Sequence, residues 1–223
     1  MRRLGLDRDS LRTVHERLRS AYGAQAWWPA DTRFEVMVGA VLTQNTAWRN
    51  VERAIGNLRA ADRLNPADIV SSSHEQLARW LRPSGYYNVK ARRLRAFCEA
   101  LLAAGGEQAL EAMPTAELRR FLLGIHGVGP ETADDILLYA YGRPVFVVDA
   151  YTRRLFSRLG MTRGDEAYDR LRLGVERELG PNAGVFNELH ALIVRHAKEV
   201  CAPRPRCAAC RLRPMCPAGQ TGS

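Results

Sequence analysis

Apolar residues recur at intervals of three and four along most of this chain, and almost nowhere at intervals of two. That rhythm puts them on one side of a 3.6-residue turn, so the chain must bury itself as packed helices rather than as a sheet. Leu11, Val14, Leu18 and Tyr22 form one such series, and Phe34 to Leu42 runs on with the same rhythm into Val51, Ile55 and Leu58. Leu77, Trp80 and Leu81 predict a short helix stopped at Pro83-Ser84-Gly85; Val89 to Leu102 predicts another, ended by Gly105-Gly106. Thr115, ahead of Leu118, Phe121 and Leu122, reads as the N-cap of a helix ending at Gly124. The turn His126-Gly127-Val128-Gly129-Pro130 leads into a second helix from Glu131 to Tyr141, with Pro130 in the first helical turn, where its missing N–H costs nothing. A third helix opens at Asp149 and runs through Leu159. The one strand-like run, Val145 to Val148, is too short to seed a sheet, so the expected class is all-α.

With 223 residues, 46% of them hydrophobic, the helices can enclose a core without disulfide staples, as one large domain or two small ones. The formal net charge of +9 suits a polyanionic partner, because each phosphate neutralised by a basic side chain releases counterions. A basic but uninvolved surface would have the same total. Of the 33 basic residues only Lys90 and Lys198 are lysines, so chemistry that needs an amine has few candidates. No apolar run approaches the about 18 residues of a membrane span, and the charged first ten residues lack the apolar core of a secretory leader. The expected setting is therefore cytoplasmic, without membrane attachment.

Three features carry chemistry. A helix, a Gly-x-Gly turn at Gly127, Val128 and Gly129, and a second helix can aim backbone N–H groups at one phosphate without reading base sequence. An ordinary tight turn has the same residues. Asp149 fits a helix N-cap, where the dipole holds a carboxylate ionised; the same carboxylate beside a nucleotide could stabilise a cationic sugar and orient or deprotonate water. Capping and catalysis are compatible. Third, Cys201, Cys207, Cys210 and Cys216 place four thiolates within sixteen residues. They could enclose tetrahedral zinc or an iron–sulfur cluster, and one Cys-x2-Cys flanked by two outlying cysteines fits a [4Fe–4S] cluster better than the paired halves of a zinc ribbon. Disulfides are the expectation only outside the cell. Arg204, Arg206, Arg211 and Arg213 lie between the ligands, where folding would fan them toward phosphates. Cys98, on an apolar helical face, reads as a small core residue.

In this order the three features resemble the endonuclease III family of helix-hairpin-helix DNA glycosylases, from about Phe34 to Cys216. The segments that carry the resemblance are Val41-Leu42-Thr43-Gln44-Asn45-Thr46, Gly85-Tyr86-Tyr87-Asn88-Val89-Lys90-Ala91, Gly127-Val128-Gly129-Pro130-Glu131-Thr132-Ala133, Val147-Val148-Asp149 and the four cysteines. The resemblance implies two helical lobes, residues 1–30 with 145–223 bearing the [4Fe–4S] loop and residues 31–144 bearing the hairpin at about 115–141. It implies a monomer acting on double-stranded DNA, with a damaged base flipped into the cleft between the lobes. It assigns catalysis to Asp149 and DNA contacts to Gln44, Tyr86, Gly127, Val128, Gly129 and Thr132. Gln44 would fill the hole left by the extruded base and Tyr86 would wedge beside the orphaned partner, although alone they read as a solvated amide and a turn aromatic. Bifunctional members have a lysine where this chain has Glu131. A carboxylate cannot form the Schiff base that leads to strand cleavage, so water is the expected nucleophile and lyase activity should be weak. The first cysteine gap, five residues, is one shorter than the family's usual spacing.

Trp27-Trp28-Pro29, Gly39 to Thr46, Arg82 to Asn88, and Gly129-x-Glu131-Thr132-Ala133-Asp134 are similar to a narrower branch, the type III 3-methyladenine glycosylases. That branch can lack the cysteine cluster. The likeness implies an aromatic base pocket, with Trp27, Trp28, Trp48 and Glu131 as its candidates, and alkylated purines as substrates. Such a cationic base already leaves readily and needs stacking in a dry pocket more than acid catalysis. Trp-Trp-Pro is equally a core motif. The expected activity is hydrolysis of the N-glycosidic bond of a damaged base, an alkylated purine such as 3-methyladenine. The alternatives are an endonuclease III-type enzyme for oxidised pyrimidines with weak lyase activity, an inactive Fe–S DNA-binding protein, and a zinc-binding nucleic-acid module.

Overall fold

The computed structural model describes residues 5–221. In chain order the helices are α1 (Arg8–Tyr22), α2 (Arg33–Leu42), α3 (Trp48–Ala60), α4 (Pro66–Ser71), α5 (His74–Leu81) and α6 (Tyr87–Ala103). They continue with α7 (Glu107–Ala112), α8 (Thr115–Leu123), α9 (Pro130–Asp135), α10 (Ala150–Arg158), α11 (Tyr168–Leu179), α12 (Ala183–Glu199) and α13 (Pro217–Thr221). No strand occurs among the described residues, and no helix there is long and apolar enough to cross a membrane. The chain divides into two compact units, Met1–Trp27 with Pro144–Ser223, and Trp28–Arg143.

The second unit is built on α2. Every α2 residue except Arg33 is buried, which marks a central helix rather than a surface one. The helix packs against α3, α6 and α9, while α4 and α5 pack against α6. In the first unit α12 takes the central place, burying Phe186, Leu189, Leu192 and Ile193 against α1 and α10. From α1 it receives Leu11, Val14 and Leu18, the apolar series visible in the sequence. Side-chain caps set several starts: Asp7, Thr32, Asn65, Ser73, Asp149 and Asn182 each accept a backbone N–H from the first turn. Such a cap is worth roughly 1 kcal/mol.

Three local expectations change. Thr115 is the first residue of α8, not its cap; extended Pro114 holds the N-cap position and makes no side-chain bond. The expected straight helix to Tyr141 ends at Asp135 and widens into a π-turn over Ile136–Ala140. Ile136, Leu137 and Leu138 are all buried there, and the turn packs on α2. The Val145 to Val148 run is extended but finds no strand partner. Instead Phe146 N donates to Glu176 Oε1 at 2.9 Å and Val148 N to the Tyr168 hydroxyl at 3.3 Å, so α11 side chains satisfy the backbone. Periodicity did not single out α4, α7, α11 and α12.

Candidate functional site

The turn between α8 and α9 is shaped by one of its two glycines. Gly127 has φ +88, the left-handed region, and a Cβ there would overlap Cγ and Cδ of Arg93. Gly129 is extended at φ −92, and a Cβ on it would meet nothing within 4 Å, so only Gly127 of the two requires glycine. Val128 turns inward: its side chain is buried and its N–H donates to the Ile125 carbonyl at 3.0 Å. A buried ion pair staples the two helices, Arg119 Nε to Asp134 Oδ1 at 2.7 Å and Nη2 to Oδ2 at 3.1 Å.

Gln44, one residue beyond the α2 C-cap, closes onto this turn. Its Nε2 donates to the Gly127 carbonyl and to Thr132 Oγ1, each at 3.0 Å, and its Oε1 accepts from Arg93 Nη1. The structure thus brings Gln44, Gly127 and the buried Thr132 together. Tyr86 is left-handed at φ 45 and ψ 32, caps α6 and is 72% exposed. Behind it Lys90 is 2% exposed and donates from Nζ to the Ser84 carbonyl at 2.6 Å. Burial, with the Arg93 charge adding to it, lowers the Lys90 pKa to about 8.

Two of the four base-pocket candidates meet. Trp28 stands edge-on to Trp48 with centroids 5.0 Å apart, and Tyr139, which the sequence did not mark, lies 5.1 Å from Trp28. Gly39 lies against both indoles, where a Cβ would come within 3.1 Å of Trp28 and 3.3 Å of Trp48. Trp28, Pro29 and Trp48 also wall a cavity of about 550 Å³ that includes Asp31, Glu35, Glu52 and Arg59. Trp27 is half-buried and belongs to the other unit, while Glu131 is exposed on the first turn of α9.

In the first unit Asp149 caps α10, its Oδ1 accepting the Thr152 N–H at 2.7 Å. Its Oδ2 lies 3.5 Å from Nε2 of His190 on α12, a buried partner that local sequence reasoning missed. The Asp149 side chain stays 13% exposed. Burial pushes the carboxyl pKa up, but the His190 hydrogen bond and charge and the Thr152 N–H outweigh it, holding the group below the ordinary aspartate value. Lys198 feels the same carboxylate: burial lowers its pKa, the Asp149 charge opposes that, and its Nζ lies 5.7 Å over the Tyr151 ring.

Cys201, Cys207, Cys210 and Cys216 line one pocket together with Leu155, Arg158, Val200 and Leu212. Helix α10 stitches this loop down. Arg154 Nε and Arg158 Nη1 reach the Cys201 carbonyl at 2.9 and 3.1 Å, and Arg158 also donates to Cys201 Sγ at 3.2 Å and to the Ala202 carbonyl at 2.7 Å. His196 links Cys210 Sγ, at 3.4 Å, to the Tyr22 hydroxyl, at 2.8 Å, and burial lowers its pKa to about 4. Among the described residues no three Cys, His, Asp or Glu side chains converge closely enough to hold a single metal ion. Arg204, Arg206, Arg211 and Arg213 are exposed, and Cys98 is buried in the core of the other unit.

Residues 38–180 match the HhH-GPD superfamily of base excision DNA repair proteins. A protein of Methanocaldococcus jannaschii, provisionally named a DNA repair glycosylase, is 45% identical over 206 residues, which is 91% of this chain and 94% of that one. The H. pylori 3-methyladenine DNA glycosylase MagIII, solved bound to 1,N6-ethenoadenine, is 32% identical with a TM-score of 0.74, over 87% of this chain and 98% of that one. An endonuclease III–DNA complex has the same fold at a TM-score of 0.83 and 23% identity, over 96% and 97% of the two chains. The chain belongs to the HhH-GPD superfamily of base excision DNA repair proteins and has its all-α glycosylase fold.

Proposed function

We propose that this protein is a monofunctional DNA glycosylase that hydrolyses the N-glycosidic bond of an extruded alkylated purine, 3-methyladenine being the type substrate. The observation that carries this reading is Asp149, a carboxylate kept ionised by His190 and by the first N–H groups of α10. An ionised acid stabilises the positive sugar that forms as the base departs, and it orients the attacking water. An N-alkylated purine leaves as a neutral base, so no general acid is needed opposite it. The indole pair of Trp28 and Trp48 supports an aromatic platform, and the MagIII likeness at 32% identity favours alkylated over oxidised bases. Gly127 and its neighbours would hold a backbone phosphate, Gln44 would fill the vacated stack, and exposed Tyr86 would wedge beside the orphaned base. Duplex DNA is the partner this reading requires.

The four cysteines suit a [4Fe–4S] cluster. The support is that all four line one pocket, one Cys-x2-Cys being flanked by two outlying cysteines. Cys201, Cys207, Cys210 and Cys216 would be its ligands and Arg158 would offset its charge. When bound, it would serve as a structural anchor for the arginine-bearing loop.

A second reading is lyase chemistry, for which Lys198 on α12, the helix of the Asp149 partner His190, is the amine to test. Both are tested with duplexes carrying either 3-methyladenine or an oxidised pyrimidine, followed by borohydride reduction. The proposal expects free alkylated base and an uncleaved, untrapped strand. A covalent complex that disappears in Lys198→Met would overturn the monofunctional reading, and release of the oxidised pyrimidine alone would overturn the substrate.

A further inference from the structure

We infer that Arg93 is a positioning residue that latches the Gln44 carboxamide onto the glycine turn and thereby sets how the protein fills the space of an extruded base. The inference rests on the proposed repair function and deepens it. Gln44 spends its amide on three partners within its own unit: both Nε2 hydrogens go to the Gly127 carbonyl and Thr132 Oγ1, and Oε1 takes the Arg93 guanidinium. Only a donor can satisfy Oε1 and only the NH2 group can satisfy the Gly127 carbonyl, so Arg93 and that carbonyl together hold the amide one way round. Without the guanidinium Oε1 loses its donor, and the amide is held by its Nε2 contacts alone.

The stem of Arg93 is equally constrained. It lies so close over Gly127 that a Cβ there would overlap Cγ and Cδ, which gives Gly127 a second reason to be glycine besides its φ of +88. Thr132 and the Gly127 carbonyl belong to the turn and to α9, Gln44 follows α2, and Arg93 is on α6. One side chain therefore ties the gap-filling amide to the phosphate-binding turn. Its Nε is buried without a partner in the free protein, a donor held in place by the Gln44 contact and available to a group arriving with DNA.

The test uses the full chain and a duplex containing a tetrahydrofuran abasic analogue opposite 2-aminopurine, whose fluorescence reports the surroundings of the orphaned base. Arg93→Met keeps the stem over Gly127 and removes the guanidinium; Arg93→Lys restores a donor. If Arg93 acts through Gln44, Arg93→Met weakens binding about fivefold and changes the fluorescence as Gln44→Ala does. The double variant is then no worse than either single one, Arg93→Lys recovers part of the signal, and thermal stability sets any folding loss apart. Additive losses in the double variant, or an Arg93→Met protein that binds and fluoresces like wild type, would overturn the latch. Wild type binding abasic and intact duplexes equally would instead overturn the repair reading on which it rests.

Discussion

The two lysines of the chain sit in opposite electrostatic settings. Lys198 has the Asp149 charge to favour its ammonium form, whereas Lys90 has only the Ser84 carbonyl and is further repelled by Arg93. Because the folded Lys90 pKa is about 8 against an ordinary 10.5, the unfolded chain binds more protons between those values. The group therefore destabilises the fold at neutral pH, and the penalty is relieved as pH rises through 8 toward 10.5. Wild type should gain about 2 kcal/mol relative to Lys90→Met between pH 7.5 and 9.5, read from urea unfolding; a difference that stays flat across that range would contradict the assignment. At this scale legibility depended on locality. Asp149 could be read as a cap because its partner, Thr152, is three residues away. His190, Arg93 and Tyr139 could not be foreseen, because each meets its partner only through packing of helices distant in sequence.

Among the elements, the hairpin and α10 do the most positioning. The hairpin's own helices are short, and α9 spans only Pro130–Asp135, so its geometry leans on the Arg119–Asp134 pair rather than on helix propensity. Removing one member of a buried pair strands the other. Asp134→Ala should cost about 3 kcal/mol of stability in urea unfolding, and a loss below about 1 kcal/mol would show that the staple is dispensable. Helix α10 has Asp149 at its N-terminus and, further along, Arg154 and Arg158 holding the cysteine loop, so acid and thiols share one rigid element. The apolar rhythm made α1, α2, α3, α5 and α6 readable. It misjudged α9, because the π-turn that buries Ile136, Leu137 and Leu138 follows no local rule.

For the whole molecule, the net charge of +9 is supplied almost entirely by arginine, and those arginines do more than face solvent. Arg59, Arg119, Arg154, Arg158 and Arg172 are bound within the fold by carboxylates or carbonyls, whereas Arg204, Arg211 and Arg213 of the cysteine loop are exposed. Composition could suggest a polyanion but could not say which arginines the fold itself ties up, since that depends on partners brought close by folding, as Glu35 is to Arg59. In the proposed mechanism base excision comes down to one acid, Asp149. Single-turnover release of 3-methyladenine from a duplex by wild type and by Asp149→Asn tests this directly. Asparagine can keep the cap to Thr152 but has no charge to offer a cationic sugar. The variant should release base at a rate lower by roughly 10²-fold or more with DNA binding intact; release at the wild-type rate would remove Asp149 from the chemistry.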